Sequence, residues 1–168
     1  MRENALRHVG RNFLLSLDLK DFFPGISAKW IYRLFREEPF SFPDNIAIPL
    51  ALLTTYRKSL PTGANTSPIL SNFVCRELDE QLSMLAETSE LVYTRYAYDL
   101  TFSSNLPFTP AMIARIRKII SDNGFQVNEK KVRLRSRHSR QVVTGITVNE
   151  KPNIPQCYIR NLRAILHD

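Results

Sequence analysis

A chain of 168 residues with 43% hydrophobic content is long enough for one core and too short for two ordinary domains. No apolar stretch reaches the roughly 18 to 20 residues of a membrane span, and the start, MRENALRHVGRNF, lacks the apolar centre of a signal peptide, so a cytoplasmic location is expected. The formal charge is +7, and nine Lys and Arg between Ala111 and Arg140, set against Asp122 and Glu129, carry all of it, as a phosphate-binding surface or a solvated basic face would.

The first predicted element is a strand in NFLLSLDLKDFF, where an almost continuous apolar run from Phe13 to Leu19 suits burial on both faces. Pro24 and Gly25 end it, and Ser27 caps a helix whose apolar side uses Trp30, Ile31, Leu34 and Phe35. A second helix is expected around Ile46 to Thr55. Pro61 and Gly63 then mark a loop, and Ser67-Pro68 reads as the cap and first residue of one long helix reaching about Ala86, with Leu70, Phe73, Val74, Leu78, Leu82 and Leu85 inward.

YTRYAYDLTFSS, residues 93 to 104, reads as a β-hairpin with Asp99 at its tip. Thr109-Pro110 opens a helix, with Met112, Ile113, Ile116, Ile119 and Ile120 inward, that Asn123-Gly124 closes. FQVN, KVRLR and QVVTGITVN are predicted strands, and IRNLRAILHD a final helix. The order β-α-α-β-β-α-β-β describes an α+β fold, an antiparallel sheet covered by helices on one face. Cys75 and Cys157 lack metal or redox spacing and are expected as buried reduced thiols; His8, His138 and His167 are scattered, which leaves only oxygen-ligated metals open.

Nucleotide polymerisation uses two divalent cations about 3.5 to 4 Å apart, held by carboxylates that meet in space from remote points of the chain. Asp18, at the end of a buried strand, and Asp99, at a hairpin tip, satisfy that description. A structural role for either would look the same in composition.

LDLKDFFPGI, LPTGANTSPILSN, YAYDLTFSS and GFQVNEKKVRL stand in the order of the palm motifs of reverse transcriptases. QVVTGITVNEKPNIP looks like the VTG-containing segment of the bacterial retron-type enzymes, and the chain resembles that family over nearly its whole length. The resemblance implies a polymerase palm, RNA-directed DNA synthesis with two Mg²⁺, and an RNA template, a DNA or RNA primer and deoxynucleotides as partners. A cognate structured non-coding RNA, read around Asn149, Lys151 and Pro152, and a part in antiviral defence are implied as well, with no membrane partner.

Residue by residue, Asp18 matches the first metal-binding Asp, with the Leu19 carbonyl as a further oxygen ligand and Asp99 as a hairpin carboxylate. Phe23 matches the bulky gate against a ribose 2′-hydroxyl, although a core aromatic would read the same way. Pro61, Thr62, Gly63, Ser67 and Pro68 match the loop and helix start that meet the incoming nucleotide. Lys131 matches the lysine beside the departing pyrophosphate. Arg133, Arg135, Arg137 and Arg140, with Arg115 and Lys118, are expected to face a nucleic-acid backbone.

The chain departs from the family where Tyr98 replaces the first Asp of Tyr-x-Asp-Asp, and where Thr62 and Asn65 stand for Gln and Pro. A neutral phenol in place of a charge beside two dications forfeits several kcal/mol, which at roughly 1.4 kcal/mol per decade of rate is a loss of about a thousandfold or more. One palm domain over residues 1–168 is expected, short at both ends, with fingers and thumb largely missing. The alternative is an inactive, RNA-binding remnant of a reverse transcriptase.

Overall fold

The computed structural model describes residues 1–154 and 156–167, and the side chain of Cys157 lies outside what is described. The elements in chain order are α1 (Arg2–Arg7), β1 (Phe13–Asp18), α2 (Phe22–Gly25), α3 (Ala28–Arg36), α4 (Asp44–Thr54), α5 (Ser67–Val74) and α6 (Arg76–Thr88). They continue with β2 (Val92–Tyr96), β3 (Asp99–Ser104), α7 (Pro110–Asp122), a 3-10 turn (Glu129–Lys131), β4 (Arg133–Ser136), β5 (Val142–Val143), β6 (Ile146–Thr147) and α8 (Gln156–His167).

Four strands form an antiparallel sheet in the order β2-β3-β1-β4. Directly paired residues share a face of such a sheet. One face therefore carries Leu15 and Leu17 of β1, Leu100 and Phe102 of β3 and Tyr93 of β2. They pack against Ile31 and Phe35 of α3, Leu78, Leu82 and Leu85 of α6, and Ile116 and Ile120 of α7. Full burial of each such side chain contributes about 1.5 to 3 kcal/mol, which makes this layer the main source of cohesion.

The other face carries Ser16 and Asp18, Thr101 and Asp99, and Thr94 and Tyr96. Its far end is covered by α1 and by the small β5–β6 hairpin, through a second cluster of Ala5, Leu14, Val143 and Val148. His8, just past α1, is fully buried there and bridges Ser103 Oγ at 2.7 Å and Thr94 Oγ1 at 2.8 Å.

Two of the three sequence-read caps are present: Ser27 Oγ accepts from Trp30 N and Thr109 Oγ1 from Met112 N. Gly124, at φ +79°, follows α7 where a Cβ would stand 2.9 Å from the Trp30 ring, so this stop needs glycine for space as well as for backbone conformation.

Several expectations are corrected. α1 and the short α2 form where the sequence reading placed no helix, because Phe22 and Ala5 find apolar partners that local patterning does not reveal. The expected long helix from Ser67 is two helices, interrupted at Cys75, whose ψ of 3° is non-helical and whose side chain is driven into the core. Phe73, expected inward, is consequently 38% exposed. Thr66, not Ser67, precedes α5. FQVN is not a strand and contributes only the isolated Leu19–Val127 bridge, while the two halves of QVVTGITVN pair with each other outside the main sheet. Among the described residues no helix is long and apolar enough to cross a membrane.

Candidate active site

The strand register brings the two singled-out carboxylates together. Asp18, the last residue of β1, is the direct partner of Asp99, the first of β3, so both side chains project from the same face at the same end of the sheet. Asp18 is 7% exposed, and both of its carboxylate oxygens are engaged: Oδ2 by Lys131 Nζ at 3.0 Å and Oδ1 by Asn128 Nδ2 at 3.3 Å. The Asp18 carbonyl accepts from Asn128 N at 2.7 Å, which ties the 3-10 turn to the strand end.

Asp99 is half-buried. Burial raises its carboxyl above the ordinary range, the charge of Asp18 raises it further, and Lys131 partly offsets both. Lys131 is held above the ordinary lysine value, first by its hydrogen bond to Asp18 and then by that residue's charge.

Tyr98 occupies the two-residue turn with Ala97, which adopts φ +51°. The Tyr98 carbonyl accepts from Leu19 N at 2.9 Å, fastening the hairpin tip to the chain just beyond β1. Its ring meets Phe22 edge-on at 6.4 Å between centroids, and the Lys131 ammonium stands 5.9 Å from its ring centre. The turn is anchored from the other side as well: Arg95 Nη1 donates to the Ala97 carbonyl at 3.0 Å and to Asn72 Oδ1 of α5 at 3.2 Å.

A cleft of about 760 Å³ opens beside these groups, bordered by Asp18, Phe23, Thr62, Tyr98, Asn128 and Lys131. Leu19 lines it too, whereas Asp99, Gly63 and Ser67 do not. Ser67 is buried and donates its hydroxyl to the Pro61 carbonyl at 2.7 Å, so it clips the loop that presents Thr62. Gly63 supplies a φ of +91° in that loop, which a side-chain-bearing residue rarely adopts.

The basic segment divides between layers of the fold. Arg133 pairs with Ser16 and Arg135 with Leu14, which puts both on the face of the sheet that carries Asp18. Arg115 and Lys118 project from α7, which covers the opposite face, and Lys118 pairs with Asp122. Arg137 follows the end of β4, and Arg140 reaches Thr147 Oγ1 at 3.3 Å. Asn149 donates to the carbonyls of Arg137 and Ser139 and accepts from Gln141 N, so its amide organises this loop.

Sequence reasoning overlooked Asn128 and the Arg95–Asn72 contact. Asn128 stands in the quoted NEKK run, but nothing in that spacing points to Asp18; Arg95 shares the helix-facing side of β2 with Tyr93, a place where a charge is unexpected.

The donor set is two carboxylates and backbone oxygen, suited to a hard cation such as Mg²⁺ rather than to zinc. Among the described residues no group of three or more His, Cys, Asp or Glu converges. Two carboxylates with water and phosphate oxygens can hold one Mg²⁺.

The sequence profile described as reverse transcriptase (RNA-dependent DNA polymerase) matches residues 2–148. The chain is 35% identical to the retron Ec86 reverse transcriptase of Escherichia coli over 98% of its own length and 51% of that protein's. It is 36% identical to the retron Mx65 reverse transcriptase of Myxococcus xanthus and 32% identical to the retron Mx162 enzyme of the same organism, over 99% and 98% of its own length and 43% and 41% of theirs. It thus spans about half the length of these curated relatives. An apo telomerase from Candida tropicalis, truncated from its C-terminal domain, superposes with a TM-score of 0.57 at 13% identity, covering 92% of this chain and 38% of that one, and so shares the palm fold. With the profile spanning most of the chain and the fold agreeing, the protein belongs to the reverse transcriptase family.

Proposed function

We propose that residues 1–168 are the palm domain of a retron-type RNA-directed DNA polymerase, acting in the cytoplasm, in which Tyr98 holds activity low. The observation that carries this reading is the pairing of Asp18 with Asp99 beside a cleft bordered by Phe23, Thr62 and Lys131. In the reaction a primer 3′-oxygen forms a bond to the α-phosphorus of a deoxynucleoside triphosphate. The bond from that phosphorus to the β-phosphate bridge breaks, pyrophosphate leaves and the hydroxyl proton passes to solvent.

Mg²⁺, held by Asp18 and Asp99 with the Leu19 carbonyl, would supply Lewis-acid stabilisation of the charge that develops on the phosphoryl oxygens. Phe23 would stand against a ribose 2′-hydroxyl, Thr62 against the nucleotide, and Lys131 would neutralise the departing pyrophosphate electrostatically. Arg133 and Arg135, on the carboxylate-bearing face, would steer the template–primer backbone. A structured RNA partner, of the kind retron enzymes use, fits the exposed Lys151 and Pro152.

Tyr98 favours a second reading, an RNA-binding palm without polymerase chemistry. Primer extension with Mg²⁺ on an RNA template separates the two. Little incorporation is expected from the chain itself, and a gain of up to about a thousandfold from Tyr98→Asp. Robust synthesis by the unaltered chain that Asp18→Ala abolishes would overturn the low-activity part; synthesis indifferent to Asp18→Ala would overturn the assignment of the site.

A further inference from the structure

Lys131 occupies an unusual position for a group whose assigned task is to meet a leaving phosphate. Its ammonium is 3.0 Å from Asp18 Oδ2 and 5.9 Å from the centre of the Tyr98 ring, so it lies between a carboxylate and the π-system of the residue that departs from the family pattern. Asp18 is nearly buried, and its other oxygen accepts from Asn128. Its register partner Asp99 supplies a second carboxylate at this strand end, while Asp21 and Glu129 stand elsewhere in the cleft lining beside Lys20 and Lys130.

The charge balance of this cluster is simple. Two carboxylates and one ammonium leave a net charge of −1. Two dications repel each other four times as strongly as two unit charges at the same separation, and no third carboxylate converges here among the described residues. Without nucleotide phosphates to add charge and oxygens, this donor set suits one hard cation rather than two.

We propose that, within the polymerase reading above, this site takes a single divalent cation, and that Lys131, backed by the Tyr98 ring, is a resident positive charge that competes with it for Asp18. A cation reaches Asp18 Oδ2 only as the Lys131 ammonium gives way. Lys131 thus sets how tightly the cation is held, in addition to any contact with phosphate. Its side chain is 58% exposed, so it has room to swing aside and its replacement leaves the core untouched.

Manganese(II), whose free form gives a sharp electron paramagnetic resonance signal, counts bound ions directly and needs no turnover. Titration of the full chain without nucleotide is expected to give one Mn²⁺ per chain, lost in Asp18→Asn. Lys131→Met should tighten it about tenfold, while Lys131→Arg, which keeps the charge, should stay near the original affinity. Two ions in the unaltered chain, no bound ion, or equal affinity in Lys131→Met and the unaltered chain would overturn the proposal. Failure of the polymerase reading would register elsewhere, as primer extension indifferent to Asp18→Ala, whatever the ion count.

Discussion

The guanidinium of Arg95 grips both carboxylate oxygens of Asp79, with Nε 2.8 Å from Oδ1 and Nη2 on Oδ2, while its remaining nitrogen holds the Ala97 carbonyl in the hairpin turn. The Arg95 side chain is 6% exposed and Asp79 also accepts the Tyr93 hydroxyl at 2.8 Å. Burial opposes the charge on Arg95, and the hydrogen bonds of Asp79 outweigh it, so the guanidinium is held above its ordinary value. The pair thereby joins α6, α5 and the turn that carries Tyr98.

Removing one partner of a buried pair leaves the other desolvated and uncompensated. Asp79 is partly solvated, which reduces that penalty. Arg95→Met is expected to lower unfolding free energy by about 2 to 4 kcal/mol, measured by urea denaturation. Asp79→Asn, which keeps an acceptor for Tyr93, should cost less. Equal stability of Arg95→Met and the unaltered chain would show that the ion pair contributes nothing.

His8 makes stability depend on pH. Burial first, then the charges of Arg7 and Arg11, lowers its pKa from 6.5 to about 4. Between those values the unfolded chain binds a proton that the folded chain refuses, so stability falls as pH drops from about 6.5 toward 4 and this group adds no further loss below that. The full effect is about 3 kcal/mol, at roughly 1.4 kcal/mol per pKa unit. Urea midpoints at pH 7 and pH 5 should diverge in the unaltered chain and converge in His8→Gln. An unchanged pH dependence in the variant would assign it to other groups.

The division of the basic segment predicts a difference between two double variants. Arg133→Ala with Arg135→Ala, on the face that bears Asp18, should weaken single-stranded RNA binding and flatten its salt dependence, by about 0.7 in the log–log slope for each phosphate no longer neutralised. Arg115→Ala with Lys118→Ala, on the helix layer, should change both much less. Fluorescence anisotropy across a salt series reads the two slopes. Equal effects from both pairs would mean that the RNA wraps both layers.

Much of this architecture was legible in the chain itself. The buried run of β1, the hairpin of β2 and β3 and the capped helices α3 and α7 all rest on local features: apolar period, β-branched content, and Ser or Thr before a helix. Asp18 and Asp99 were legible as a pair because each stands at the end of a strong strand signal. The break at Cys75 was not legible, since both halves keep helical periodicity and only packing decides which side of the cysteine turns inward. FQVN failed as a strand for a related reason: its neighbour is the chain after β1, and the 3-10 turn that holds Lys131 on Asp18 interrupts the ladder.

The sequence by itself determined which chemistry is available: two carboxylates at strand ends, a phenol where the family has a third, and a lysine and a cluster of arginines downstream. Only the tertiary structure decided how those groups share charge. Register, not spacing, set Asp18 opposite Asp99, and sheet order separated Arg133 and Arg135 from Arg115 and Lys118. The fold of the 3-10 turn against β1 then placed the ammonium of Lys131 on Asp18. Electrostatic interaction depends on distances of a few ångströms between residues more than a hundred positions apart, and no local pattern in the chain encodes such distances.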